Sequence, residues 1–409
     1  DVKRAARTHD DIPDLFAERE KLLMAYHDKG ADLPPDAPRV GIPRALLFHE
    51  LFPLWATTLR ELGCRVILSS PTSKRIIHEG AERSIAETCF PMKVALGHAF
   101  DLLDKGIDYI WLPSTINLDK DDDDLTDSFV CPYVQSFPYT ASAAVDFEAH
   151  GVTVLKPSIY LQFRERQMER ALRPVGAQLG RTPGEVKQAV VKGLEALYEF
   201  RAALRARGQE VLASLPEDKP VIVIISRSYN GCDQGANLGI PRKLRNMGVL
   251  AIPMDLLPFD EAQLPKGWFN MYWRYGQKIL CAAETIAKDP RLHALYLTNF
   301  GCGPDSFVSR FTQERLGAEP GLRPTAIEEM LRWVSPIKNM ARIATRDVEV
   351  GGQQVQEGQK LLLLYPSANR DEAVFDDPFR FDVGRTPNEH VAFGFGTHFC
   401  LGNSLARLE

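Results

Sequence analysis

The apolar and polar positions of this chain alternate between strand-like and helix-like patterns over most of its length. Short apolar runs such as CRVILSS, IDYIWLPS and KPVIVIISRSYN are each followed by an amphipathic stretch. Strands that alternate with helices predict a parallel sheet flanked by helices. The pattern therefore predicts an α/β fold with two Rossmann-like parallel-sheet lobes, at residues 38–215 and 216–316, joined by a long helix.

The predicted long helix has a clear start signal. Thr182, Pro183 and Glu185 combine a capping hydroxyl, a proline at the first helical position and a glutamate three residues on. Apolar residues then recur every seven positions, at Val190, Leu197, Leu204 and Val211. We expect a helix to about Leu215 whose apolar stripe packs on a partner and bridges the two lobes.

Two further features bear on the domain organisation. Residues 1–37 contain a charged helical pattern followed by ADLPPDAPR, whose three prolines indicate a linker. The tetrapeptide GIPR occurs at 41–44 and at 239–242, each time before a helix and an apolar strand. This repeat suggests that the two lobes are related halves, although four residues also match by chance.

Composition narrows the class of protein. The 409 residues are 44% hydrophobic and 25% charged, and 49 basic against 54 acidic residues give a net charge of -5. This balance predicts no nucleic-acid partner, because the chain has no excess of basic residues to neutralise phosphates. With no apolar run of roughly 18 residues and no signal sequence, we expect no membrane association and a cytoplasmic location. The start at Asp1 and the end at Glu409 suggest a fragment.

The texture changes at about Gly317, where loops and short strands replace the alternation. The run FGFGTHFCLG contains Phe393, Gly394, Gly396, His398, Cys400 and Gly402. Glycines allow backbone to approach a flat macrocycle, and a cysteine at the start of a helix is favoured as thiolate. Such a thiolate can serve as the axial ligand of heme iron.

This run, together with Glu329-Met330-Leu331-Arg332, resembles the bacterial cytochrome P-450 family over residues 322–409. The resemblance implies a heme cofactor with Cys400 as iron ligand, Arg342 and His398 at the heme propionates, and the loop residues Phe393, Gly394, Gly396 and Gly402 beside the heme. It also implies that Glu329, Arg332 and Arg380 form the family's fold-holding set. For each residue alone, a buried structural thiol or a surface ion pair is the alternative interpretation.

The resemblance defines residues 317–409 as a partial heme-thiolate monooxygenase segment, α+β and loop-rich. Nothing before Gly317 resembles the family's oxygen-activating helix, and the last helix is cut at Glu409. We therefore expect iron binding without competent monooxygenation by this chain alone. An electron-donor protein is the partner that such chemistry implies.

Three other cysteines have proline within two residues at the end of a predicted element. They are Cys89, Cys131 and Cys302, and such corners suit iron–sulfur ligands, with buried thiols as the alternative. Seven scattered cysteines do not form a disulfide framework, and we expect Cys64 and Cys281 in the core. The acidic run 121–124 is predicted to be a solvated loop rather than a cation site.

Residues 38 to about 312 resemble the acyl-CoA dehydratase activase-related proteins, which are akin to 2-hydroxyacyl-CoA dehydratase subunits. GIPRALLFHELFPLW, AETCFPMKVALGH, CPYVQSFPY and TNFGCGPDSF carry the likeness. It implies a four-iron, four-sulfur cluster on Cys89, Cys131 and Cys302, and an acyl-CoA dehydratase-type partner. With no glycine-rich phosphate loop, ATP hydrolysis is not expected. The chain is thus interpreted as a fusion, with three hypotheses: a heme-thiolate remnant, an iron–sulfur electron-transfer or dehydratase-like module, or a fold without cofactor.

Overall fold

The computed structural model divides the chain into two compact units, Asp1–Leu316 and Gly317–Glu409. The structure describes residues 12–27, 33–120, 125, 127–215, 221–258, 264, 271–299, 302–303, 305–306, 308–309, 323–335, 339–380, 382 and 384–396. The acidic run 121–124 lies outside these residues.

The first unit alternates strands and helices along its described length. Its strands are β1 (Arg39–Ile42), β2 (Arg65–Leu68), β3 (Tyr109–Trp111), β4 (Ser114–Asn117), β5 (Thr153–Leu155), β6 (Ser158–Tyr160), β7 (Val221–Ile225), β8 (Leu250–Pro253) and β9 (Leu292–Tyr296). Its helices are α1 (Leu15–Met24), α2 (Phe48–Glu61), α3 (Lys74–Glu82), α4 (Phe90–Leu103), α5 (Pro132–Ala144), α6 (Arg164–Gln178), α7 (Pro183–Ala213), α8 (Ser228–Gly231), α9 (Ile240–Asn246) and α10 (Arg274–Ala287).

Parallel pairing runs through the sheets of this unit. One sheet has the strand order β2-β1-β3-β5, a second has the order β8-β7-β9, and β4 pairs with β6. Strand residues such as Val40, Ile110 and Val223 are fully buried, as expected for sheets covered on both faces. The predicted α/β class with parallel sheets is confirmed, whereas the division into two Rossmann-like lobes stays a prediction.

Helix α7 begins as its sequence predicts. Thr182 Oγ1 accepts from the Glu185 backbone N–H, and the Glu185 carboxylate accepts from the Thr182 backbone N–H at 2.8 Å, which completes the capping box. The heptad positions Val190, Leu197, Leu204 and Val211 are all buried. The helix packs on α2, which follows β1, and on the 3-10 turn Met254–Leu256, which follows β8, so it contacts segments next to strands of both larger sheets.

The N-terminal helix belongs to the same core. Leu15 and Leu23 of α1 are buried, and the Arg19 guanidinium donates to the His49 carbonyl of α2 at 2.8 Å. Arg19 also pairs with Asp255, just beyond β8. Helix α1 therefore packs on strand β8 and on helices α2 and α7.

The two GIPR sequences adopt different structures, so the repeat does not support the idea of related halves. Gly41 and Ile42 lie within strand β1, whereas Ile240 lies in the first turn of α9. Gly239 caps that helix in the left-handed region with φ 65°, a conformation that glycine tolerates best. Identical tetrapeptides diverge here because their neighbours select strand in one case and helix in the other.

The second unit contains one longer helix and two hairpin-like sheets in its described part. Its elements are α11 (Arg323–Val334), β10 (Asn339–Ile343), β11 (Val348–Val350), β12 (Gln353–Val355), β13 (Lys360–Leu364) and α12 (Tyr365–Ala368). Strand β10 pairs antiparallel with β13, and β11 pairs with β12. Apolar residues of the first sheet stay exposed, among them Ile343 at 59% and Leu362 at 61%. No helix in the described part of the chain is long and apolar enough to cross a bilayer.

Candidate functional site

A buried carboxylate and guanidinium lie at the centre of the second unit. Glu329 and Arg332 are one turn apart on α11, and both are fully buried. Arg332 Nε donates to Glu329 Oε2 at 2.7 Å and Arg332 Nη2 donates to Glu329 Oε1 at 2.8 Å. This bidentate geometry is the strongest form of the arginine–carboxylate pair, so the pair is internal rather than a surface contact.

Arg332 also holds the loop-rich part of the unit. Its Nη1 donates to the carbonyls of Asn369 at 2.7 Å and Pro378 at 2.9 Å, and its Nη2 donates to the carbonyl of Arg380 at 3.2 Å. These carbonyls lie 37, 46 and 48 residues along the chain from Arg332. One side chain thus ties helix α11 to the segment that leads toward Cys400.

The prediction that Arg380 joins Glu329 and Arg332 in the fold-holding set is wrong. Arg380 is exposed and contributes its backbone carbonyl, while Arg385 reaches the carboxylate, with Nε 3.1 Å from Glu329 Oε2. Asn388 Nδ2 donates to the same oxygen at 3.1 Å. Position 385 rather than 380 therefore brings its side chain to the buried carboxylate. We call Glu329, Arg332, Arg385 and Asn388 the carboxylate–arginine network.

This network determines the charge state of its carboxylate. Burial alone would raise the pKa of Glu329, but the Arg332 hydrogen bonds, the Asp382 backbone N–H at 2.9 Å and the charge of Arg385 lower it to about 2. Glu329 is therefore ionised at neutral pH. A buried carboxylate in that state requires all of its hydrogen-bond donors.

The start of the predicted thiolate loop follows the network closely. Gly394 and Gly396 have φ 79° and 68°, in the left-handed region where residues with a Cβ are strained. A Cβ placed on Gly396 would meet open space, so the backbone conformation rather than crowding within this chain requires glycine there. The Phe393 ring lies 6.2 Å from the His390 ring, and Phe395 is 86% exposed.

Of the other predicted heme contacts, only Arg342 lies among the described residues. Arg342 lies on β10 with an exposed side chain whose Nη1 donates to the Ala341 carbonyl at 3.1 Å. Cys400, His398 and Gly402 lie outside the described residues. Open space at Gly396 and the exposed Phe395 side chain beside it fit one face of a flat macrocycle. The heme-contact assignments stay predictions.

The three proline-associated cysteines share one structural position. Cys89 caps α4 and Cys131 caps α5, each followed by a proline in the first turn. Cys302 begins the next helical turn, since the Ser306 backbone N–H donates to the Cys302 carbonyl at 3.0 Å. All three are free, half-buried thiols. Backbone N–H groups and the positive end of a helix favour a thiolate at such a place.

These thiols influence one another electrostatically. Burial raises the pKa of Cys302 to about 11 and also raises that of Cys89, and the charge of Cys131 adds to both increases. The buried Arg227, which donates to Asp305 Oδ1 at 2.6 Å, opposes the rise at both thiols. Within the described residues, no three His, Cys, Asp or Glu side chains are arranged to hold a single metal ion. A cluster in which each cysteine binds its own iron stays a prediction.

A buried hydrogen-bond network that the sequence did not reveal connects the two larger sheets. Ser69 Oγ lies 2.8 Å from His98 Nδ1, and Thr72 Oγ1 lies 2.9 Å from His98 Nε2. Thr72 donates to Asp233 near α8, so it must accept from His98 Nε2–H, and Ser69 then donates to Nδ1. Burial, ahead of the opposing charge of Asp233, lowers the pKa of His98 to about 4. His98 is therefore neutral and acts as a structural link.

The parallel sheets and the carboxylate–arginine network together define an α/β body joined to a second, heme-thiolate-type segment. A family model described as the CoA enzyme activase uncharacterised domain (DUF2229) matches residues 39–257. That match covers more than half of the chain, so the chain belongs to this family. Residues 322–409 match the cytochrome P450 model. Both predicted resemblances are confirmed, although the first model ends at 257, before Cys302.

Similar proteins match the C-terminal part. Steroid C26-monooxygenase of Mycobacterium tuberculosis (strain CDC 1551 / Oshkosh) is 62% identical over 94 residues, which are 23% of this chain and 25% of that protein. Cytochrome P450-terp of Pseudomonas sp is 49% identical over 92 residues, 22% of each chain. The solved structure of the mixed-function P450 MycG has 40% identity, covers 24% of this chain and 25% of its own, and has a TM-score of 0.21. The chain spans about a quarter of the length of the curated relatives that it matches.

Proposed function

We propose that the second unit is an oxidoreductase segment that binds heme iron through the Cys400 thiolate. The observation that carries the proposal is the buried carboxylate–arginine network, in which Arg332 bonds Glu329 and three backbone carbonyls. A bound heme would supply redox chemistry at its iron. Cys400 would hold the iron through its sulfur, the loop glycines would leave room for the cofactor, and Arg342 and His398 would hold the propionates.

Monooxygenation by this polypeptide alone is not part of the proposal. The matched segment is about a quarter of its monooxygenase relatives, and the body that precedes it belongs to another family. Heme is retained by burying a large apolar ring between two protein faces. Since only one face is matched by sequence, weak heme binding and electron exchange with a donor protein are the expected activities.

The test is a heme titration of the full chain followed by visible absorption. We expect weak, saturable binding that Cys400→Ser weakens by about tenfold or more, because the axial bond is lost. Cys89→Ser is the matched control, since it replaces a free thiol in the other unit and should leave heme affinity unchanged. Equal heme affinity for the Cys400→Ser variant and the unsubstituted chain would contradict the assignment.

A second candidate function rests on the three thiols of the first unit. We propose that Cys89, Cys131 and Cys302 bind a four-iron, four-sulfur cluster that passes electrons toward an acyl-CoA dehydratase-type partner. Three free thiols at the starts of three helical turns, coupled through the charge of Cys131, support this proposal. The buried Arg227 would offset the negative charge of a thiolate-bound cluster.

Anaerobic reconstitution with iron and sulfide tests the cluster. We expect about four irons per chain and a brown colour that Cys89→Ala, Cys131→Ala or Cys302→Ala each abolish. Cys232→Ala is the matched control because Cys232 is also a free, half-buried thiol. Iron content that stays at zero in the unsubstituted chain, or that survives all three substitutions, would exclude the cluster.

A further inference from the structure

A cavity of about 150 Å³ lies in the first unit, and none of the three helix-capping thiols lines it. It opens at the carboxyl ends of two parallel strands. Ile224 and Ser226 line it from the end of β7, and Pro253 and Met254 line it from the end of β8. Carboxyl ends of parallel strands are where open α/β sheets bind ligands, since the loops there leave a crevice.

One part of the cavity lining is a satisfied polar cluster. Tyr275 donates to Glu50 Oε2 at 2.7 Å, and Ser228 Oγ lies 2.6 Å from the Tyr275 hydroxyl and donates to it. Lys278 donates to Glu50 Oε1, so both carboxylate oxygens are already used. An ammonium group has three donors. Lys278 therefore has N–H groups left that can donate to a ligand. Both oxygens of Glu50 are already occupied by Tyr275 and Lys278.

Basic groups outnumber acidic ones around this space. The basic lining residues are Arg19, Arg201, Arg205, Arg274 and Lys278, and the acidic ones are Glu50 and Asp255. Asp119, outside the lining, accepts from Arg201 Nη1 at 2.5 Å and from Arg201 Nη2 at 2.9 Å, and each of these nitrogens keeps one further N–H. A surplus of cations over carboxylates in a partly buried space attracts an anion, because the low dielectric strengthens each charge. Lys278 already shares its charge with Glu50, so one negative charge fits better than two.

Much of the remaining lining is hydrocarbon. It comes from α1, α7 and the segment after β8, with Phe16, Phe200, Leu204 and Leu257 as its main side chains. An engineered cavity of the same volume takes up benzene, so there is room for a hydrocarbon group of about six carbons. Apolar walls next to a few polar groups that fix orientation are the common design of small-molecule sites.

We propose that this cavity binds a short-chain monocarboxylate, with its carboxylate at Lys278 and Arg201 and its hydrocarbon chain against Phe200 and Leu204. The site is separate from both proposed iron sites and does not depend on either of them. Binding needs no covalent step. The ligand neutralises the cationic surplus and fills space that side chains leave open.

Calorimetric titration of the full chain with pentanoate tests the proposal, with uncharged pentanamide as the shape-matched comparison. We expect a Kd for pentanoate of about 1 mM or tighter, given the few atoms that can contribute. Pentanamide should bind at least about tenfold more weakly, since it lacks the charge. Equal affinity for pentanoate and pentanamide overturns the proposal. So does the absence of binding heat at a pentanoate concentration about ten times the expected Kd.

A matched pair of lysine variants locates the site. Lys278→Gln should weaken pentanoate binding by about tenfold, with far-UV circular dichroism unchanged because Arg201 and Tyr275 still contact Glu50. Lys192→Gln removes a surface lysine of α7 that pairs with Glu61 and should bind pentanoate normally. Undiminished binding by a folded Lys278→Gln variant contradicts the assignment. If the Lys278→Gln variant unfolds, the comparison of pentanoate with pentanamide on the unsubstituted chain tests the proposal instead.

Discussion

Replacing Arg385 by glutamine should destabilise the second unit far more than replacing Arg380, which lies five residues earlier. Arg385→Gln removes the bond to Glu329 at 3.1 Å and the bonds to the carbonyls of Asp376 at 2.6 Å, Asp377 at 3.1 Å and Arg380 at 3.0 Å. Its side chain is only 10% exposed. Arg380→Gln changes an exposed side chain and leaves its bonded carbonyl in place.

The expected magnitude follows from burial and charge. Removing one partner from a buried, hydrogen-bonded ion pair costs about 3–5 kcal/mol. Arg332 still neutralises Glu329, so we expect the lower end, ~3 kcal/mol in the free energy of opening of the second unit. A surface substitution such as Arg380→Gln should stay within about 0.5 kcal/mol.

Hydrogen–deuterium exchange of the full chain measures this difference in one experiment. Amides of α11 (Arg323–Val334) should exchange about 100-fold faster in Arg385→Gln, which corresponds to ~3 kcal/mol, and within about twofold of normal in Arg380→Gln. Amides of the first unit serve as the internal reference. Similar exchange rates for the two variants, or a larger effect at Arg380, would refute the account of the network.

Three further predictions concern pH and packing. The lowered pKa of Glu329 stabilises the second unit above about pH 4.5, and ~3 kcal/mol of that should be lost as pH falls toward 2, seen as lower protection of α11 amides after correction for the intrinsic exchange rate at each pH; pH-independent protection would contradict it. The lowered pKa of the buried His98 predicts that its contribution to the unfolding free energy of the first unit is constant above pH 6.5 and falls by about 3 kcal/mol toward pH 4, measured by urea unfolding; a rise in stability between pH 6.5 and 4 would refute it. Gly208→Ala would place a Cβ 1.7 Å from the Leu256 carbonyl oxygen and should cost about 1–3 kcal/mol in the same assay. Gly184→Ala on the same helix meets nothing closer than 3.9 Å and should be neutral or stabilising.

Local signals allowed the sequence to predict helix α7 well. The capping box at Thr182 and the apolar heptad positions lie within one element, so their meaning does not depend on the rest of the fold. The same holds for Glu329 and Arg332, whose spacing places them on one helix face and whose family motif indicated an internal role. Their burial and bidentate geometry agree with that expectation.

Features that bring together distant segments of the chain could not be predicted from the sequence. Arg385 rather than Arg380 reaches Glu329 because of a loop path that no periodicity encodes. The link from His98 to Asp233 joins residues 135 positions apart through Thr72, and the pentanoate-sized cavity is lined from α1, α2, α7, β7, β8 and α10. The repeated GIPR misled because a shared tetrapeptide does not fix the backbone of Gly239. Contacts of this kind depend on tertiary packing rather than local propensity.

The thiolate assignment is tested most directly by the absorption spectrum of the heme-supplemented full chain, reduced and exposed to carbon monoxide. We predict a weak Soret band of the thiolate type that is present in the unsubstituted chain and in Cys89→Ser, and absent in Cys400→Ser. A band of the same type and intensity in Cys400→Ser would contradict heme-thiolate binding at this position. A full-intensity band in the unsubstituted chain would contradict the view that this chain supplies only one face of the heme site.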